Sequence, residues 1–227
     1  MFSAFEKIFT ASNLLYLLKG TAYSIGIALL SLLFGLILGI LGSSGKKSKH
    51  VVLKAIANFY VEIIRGTPLL LQILVIFSII PSLYTAISGK VIRINPYLIG
   101  VIAMSINSGA YQTELIRSGI NAVDKGQDEA CQTLGLSRYQ AMKLVILPQA
   151  FKHIVPPLIS ELITLIKDTS LISTIGAVEL LKGAQILGAN YYDVMTPYCI
   201  AGVYYLVVTI LISFMGKKIE KRLALSD

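Results

Sequence analysis

Apolar residues dominate four long, charge-free stretches of the chain, at 20–45, 66–89, 94–113 and 194–216. Each is long enough to cross the hydrocarbon core of a bilayer, which takes about 20 apolar residues in an α-helix. A fifth stretch, 154–175, carries Glu161, Lys167 and Asp168 but is otherwise strongly apolar. Without it, the basic segments that flank it would fall on opposite sides of the membrane. The pattern therefore predicts five spans, over residues 21–41, 67–87, 96–116, 154–175 and 195–216. Backbone polar groups find no water in hydrocarbon, and runs of this length satisfy them as helices. No internal repeat or low-complexity linker divides the chain, so residues 1–227 are read as one domain.

Ahead of the first span, Phe2, Phe5 and Phe9 recur at near-helical spacing, which predicts a short helix lying on the membrane surface. The first apolar run is longer than the core of a signal peptide, so this start is expected to be retained. Within that run, Gly35 and Gly39 form a GxxxG pair that lets another helix approach closely.

Composition supports the membrane reading: 14% of residues are charged and 55% are hydrophobic, against about a quarter charged in soluble domains. A net charge of +8 would suit nucleic acid, but that needs a basic face carrying readers of bases. Here the basic residues cluster beside apolar runs, so the partner they imply is membrane lipid, not nucleic acid. With the N-terminus outside, thirteen lysines and arginines lie on the cytoplasmic side and five outside. That asymmetry orients the chain N-terminus out and C-terminus in. Cys131 and Cys199 are read as free thiols, and no cofactor or metal site is implied.

The longest polar segment, 118–153, lies on the cytoplasmic side. Asp124, Asp128 and Glu129 suit the start of a short helix, and Gly135 suits its left-handed end. Ser137 and Gln140 have the spacing of a capping box, opening a second short helix expected to stop before Pro148. Such a pair forms a rigid knuckle that a soluble motor can grip.

The run Glu129-Ala130-Cys131, three residues, Gly135, nine residues, then Val145-Ile146-Leu147-Pro148 resembles the EAA loop of bacterial ABC importer membrane subunits. It departs from the family pattern at Cys131, for alanine, and at Val145, for isoleucine. The resemblance implies an all-α membrane protein of the cytoplasmic membrane, with a coupling loop that docks on an ATP-binding subunit. Glu129, Ala130, Gly135, Leu147 and Pro148 would be its coupling residues. Arg65-Gly66-Thr67-Pro68-Leu69, with residues 108–117 and 167–171, resembles the polar amino acid permeases of that family. This implies a second permease subunit, identical or paralogous, a pair of ATP-binding subunits and an extracytoplasmic amino-acid-binding protein. The residues themselves also fit a helix start at the cytoplasmic face, with Arg65 reaching headgroups, Thr67 capping and Pro68 in the first turn.

Polar residues form one stripe on each of two spans: Asn107, Ser108, Tyr111 and Glu114 on the third, and Glu161, Thr164 and Asp168 on the fourth. Glu114 and Asp168 are expected to pair with basic residues near headgroups. Glu161 lies deeper, without a basic neighbour at helical spacing, so Asn107, Ser108, Tyr111, Glu161 and Thr164 are the candidate substrate pathway. A bound cationic amino acid would partner Glu161; neutral, amide and cystine substrates remain alternatives. No GxxxxGK[ST] phosphate loop is present, so ATP hydrolysis is assigned to a partner and not to this chain. An intramembrane enzyme would need catalytic or metal groups in the bilayer, and His50 and His153 are both read as loop residues. A self-contained secondary carrier would ordinarily show an internal repeat.

Overall fold

The computed structural model describes residues 6–224, and all its regular elements are helical. Phe2 and Phe5 lie outside the described residues. Helix α1 (Ala11–Lys46) is capped by Thr10, whose side chain accepts from the Asn13 amide. Its 36 residues correspond to about 54 Å, so it extends the first span at its N-terminal end; ahead of it residues 6–8 are helical, and the exposed Phe9 lies in the bend before Thr10.

Residues 51–66, between the first two predicted spans, form the amphipathic helix α2 (Val51–Gly66). Ala57 and Val61 are buried, whereas Val52, Ile56, Phe59 and Ile63 are exposed. The lysine and acid in this segment masked its apolar stripe in the sequence. Helix α3 (Leu69–Ser88) follows directly and ends at Gly89, in the left-handed region at φ 67°.

Helix α4 (Pro96–Asn121) is the centre of the bundle: α1, α2, α3 and the later helix α7 all pack against it. Its buried polar residues Ser105, Asn107, Ser108, Gln112 and Thr113 face protein, which makes it less apolar than a lipid-facing helix. The expected contact of the GxxxG pair is found here. Gly35 and Gly39, with Gly42, lie against Ser108, Gln112 and Thr113 of α4.

Two short helices, α5 (Lys125–Thr133) and α6 (Arg138–Ala141), precede α7 (Leu147–Asp168). A 3₁₀ segment, Thr169–Ile175, leads to α8 (Leu180–Tyr191), and α9 (Met195–Ala224) completes the bundle. By length and composition, α1, α3 and α9 each qualify as a span, and the α6–α7 segment with α8, bent by 50°, as a fourth. Outward-facing Leu206, Val207, Ile210, Leu211 and Phe214 of α9, like Leu33, Ile37 and Leu41 of α1, are exposed. An apolar surface of that extent suits lipid.

Candidate functional site

The polar segment after α4 folds as its local sequence dictates. Asp124 caps α5, accepting from the Gly126 amide at 2.7 Å. Gly135 ends that helix at φ 72°, with the Leu136 amide bonded back to the Cys131 carbonyl. The capping box is present in full: the Ser137 amide donates to Gln140 Oε1 at 2.9 Å, and the Gln140 amide donates to Ser137 Oγ. Glu129 and Ala130 are exposed, as are Leu134 and Tyr139 at 78% and 72%. Cys131 is buried, so its thiol points away from that exposed face.

Pro148 does not end the second helix, contrary to expectation. A π-helical turn, Met142–Ile146, closes with the Leu147 amide bonded to the Met142 carbonyl. A wide turn of this kind relieves the clash of a proline ring with the preceding turn. The chain therefore runs from α6 through Leu147 and Pro148 into α7 without a break, and the lever is joined rigidly to a long helix. His153 consequently lies in α7, exposed, and not in a loop.

Of the pathway candidates, Ser108 and Glu161 come together. Ser108 Oγ donates to Glu161 Oε1 at 2.7 Å and accepts from Gln112 Nε2 at 2.9 Å. Gln112 Nε2 also donates to the Leu32 carbonyl of α1. Asn107 belongs to a neighbouring cluster, donating to Gln72 Oε1 at 3.0 Å. Gln72 Nε2 in turn holds the α2–α3 joint, through the Ile64 carbonyl and both oxygens of Thr67. Thr67 is thus the C-cap residue of α2 and not the N-cap of α3, a position that Pro68 occupies.

Tyr111 is exposed, with the Arg65 guanidinium 5.2 Å from its ring centroid. This places Arg65 beside the interior of α4, not at its end. Thr164 is exposed and donates to the Ser160 carbonyl, so it does not join the Glu161 cluster. Glu114 pairs with Lys46 and with Arg117, as expected. Asp168, by contrast, has no cation within salt-bridge distance among the described residues.

Three polar residues went unrecognised in the sequence. Gln72 and Gln112 are interruptions of apolar runs, a signal open to reading. Glu179 is fully buried at the start of α8 and accepts from the Leu181 and Lys182 amides, from Tyr205 and from Ser24. It ties α8 to α1 and α9.

Residues 31–225 match the family described as "Binding-protein-dependent transport system inner membrane component". The chain belongs to that family. It is therefore an inner-membrane protein of the ABC permease kind. A Rickettsia bellii (strain RML369-C) protein named as a glutamine transport system permease is 41% identical over 214 residues, 94% of this chain and 95% of that one. The arginine transport system permease protein of Bacillus subtilis (strain 168) is 39% identical over 218 residues, 96% of this chain and 97% of its own length. In a solved structure described as an amino acid ABC transporter with histidines, a chain 36% identical superposes with a TM-score of 0.83. That match covers 91% of this permease and 94% of the other chain. The EAA resemblance of residues 129–148 thus lies inside a family match that extends over most of the permease.

Proposed function

We propose that this permease is the translocation-pathway subunit of an importer of polar amino acids. It works beside a second permease subunit and draws its energy from a pair of ATP-binding subunits. The whole chain acts as one membrane domain with five spans: α1, α3 with α2 leading into it, α4, α7 and α9. The N-terminus is outside and the C-terminus is cytoplasmic, so the 118–153 segment meets the motor. An extracytoplasmic binding protein delivers the substrate.

The observation that carries this reading is the exposed α5–α6 knuckle. Glu129, Ala130, Leu134 and Tyr139 offer a mixed polar and apolar docking face. Gly135, Leu147 and Pro148 link that face stiffly to α7. Relatives named for glutamine and for arginine are almost equally identical, which supports polar amino acids as the class. Uptake of each of the twenty amino acids by the complete complex with its cognate binding protein tests it. Import confined to sugars or metal ions would reject the reading.

A cationic substrate is the second reading, and Glu161 carries it. Ser108 is its only hydrogen-bond donor among the described residues, and no cation lies within salt-bridge distance. A half-buried carboxyl group so placed is stabilised by a bound ammonium or guanidinium. The rival is a fixed pairing with Lys167 of a second copy. Glu161→Gln raises the apparent KM for a basic amino acid by tenfold or more on this reading; an unchanged KM rejects it.

A further inference from the structure

A groove of about 540 Å³ lies between the C-terminal parts of α1 and α4 and the start of α7. It is distinct from the Ser108–Glu161 cluster. Ile40, Ile116, Ile120, Leu147 and Leu158 make its walls apolar, while Ser43, Ser44 and Lys47 stand at one end. Ile40 and Phe151 are half exposed along its length, so it opens sideways toward lipid.

The charge at the polar end is unbalanced. Lys46 and Arg117 share the single carboxylate of Glu114. Lys47 has no acidic partner among the described residues. Partial burial, and then the neighbouring Arg117 charge, hold its amine below the ordinary lysine range. An anion at this spot relieves both costs. Basic residues at the membrane end of a helix groove are a recurring site for anionic lipid headgroups.

We propose that this groove binds one anionic phospholipid, with its phosphate on Lys47 and the Ser43–Ser44 hydroxyls and an acyl chain along the apolar walls. The occupant is a lipid because the two halves of the groove ask for different chemistries. A helix of another subunit fills the apolar walls but leaves Lys47 without an anion. Free phosphate satisfies Lys47 and leaves the walls empty. The lipid rests on Met142 and Leu147, beside the π-turn that joins the knuckle to α7. It sits in the leaflet on the side of the knuckle.

The test uses the complete importer complex in nanodiscs, with phosphatidylglycerol or phosphatidylcholine carrying a photoreactive group in the acyl chain. Cross-links are mapped by peptide mass spectrometry. Phosphatidylglycerol is expected to label peptides 36–44 and 151–158 at least threefold more than phosphatidylcholine. Lys47→Glu removes that preference and keeps the phosphatidylcholine labelling, which also shows that the groove is still folded. Lys47→Gln gives an intermediate preference. Equal labelling by the two lipids in the wild type overturns the proposal. So does a preference that survives Lys47→Glu, and so does no labelling by either lipid, which would mean that protein covers the groove.

Discussion

Adding one methyl group at Gly39 tests how closely α1 and α4 must approach. A Cβ there would stand 2.7 Å from Gln112 Cβ and 3.1 Å from the Gln112 carbonyl carbon. The obstruction is partly backbone, so α1 must move as a body. Gly26 lies on the same helix, but a Cβ there meets nothing within 4 Å. Replacing glycine by alanine gains about 1 kcal/mol of helix propensity at either site, so comparing the two variants isolates the packing cost. Overpacking of a fitted interior typically costs about 1–3 kcal/mol. Gly39→Ala is expected to be less stable than Gly26→Ala by that amount, which lowers the unfolding midpoint by about 2–4 °C per kcal/mol in a protein of this size. The same displacement strains the 3.1 Å bond from Gln112 to the Leu32 carbonyl, and through Gln112 the Ser108–Glu161 pair. The assay is the unfolding midpoint of the purified variants in detergent. Equal midpoints for Gly39→Ala and Gly26→Ala refute the packing argument.

Removing the side chain of Glu179 leaves Ser24, Tyr205 and two backbone amides without their acceptor. Glu179→Ala is expected to cost about 3–5 kcal/mol, read as lost folded yield or a lowered midpoint; a cost under about 1 kcal/mol contradicts the buried cap. Gly135→Val forces a β-branched residue to φ 72° at about 1–2 kcal/mol. It should reduce transport while the membrane helices stay folded, and normal import at normal expression would argue against the knuckle. For topology, a reporter fused after Asp227 should be active only in the cytoplasm, and activity confined to the outside overturns the five-span orientation.

The features legible in the sequence were those decided within a few residues. The Asp124 cap, the Gly135 turn and the Ser137–Gln140 box depend only on neighbours in the chain, and they fold as expected. The apolar runs likewise place α1, α3, α7 and α9 to within a turn or two at most ends. Contacts made across the bundle were not legible. Ser108 and Glu161 are 53 positions apart, and Ser24 and Glu179 are 155 apart, so no local pattern announces either pair. Glutamate is also an unusual N-cap, which hid the start of α8. Pro148 misled because its usual effect is to stop a helix, and the π-turn that accommodates it leaves no mark in the residue types. Tyr111 and Thr164, which lie on the same polar stripes as Ser108 and Glu161, are exposed, and neither hydrogen-bonds to Glu161.

On the proposed function, ATP hydrolysis in a partner subunit moves α7 through the knuckle at residues 124–141. This coupling is tested most directly in proteoliposomes containing this permease, its ATP-binding subunit and the substrate-loaded binding protein. Glu129 is exposed on α5, so Glu129→Lys leaves the membrane bundle intact. The account predicts ATP-dependent uptake of labelled amino acid by the wild type, and at least a tenfold loss with Glu129→Lys while the permease remains folded in the vesicles. Uptake at the wild-type rate by Glu129→Lys, or uptake by the wild type without ATP, would contradict it.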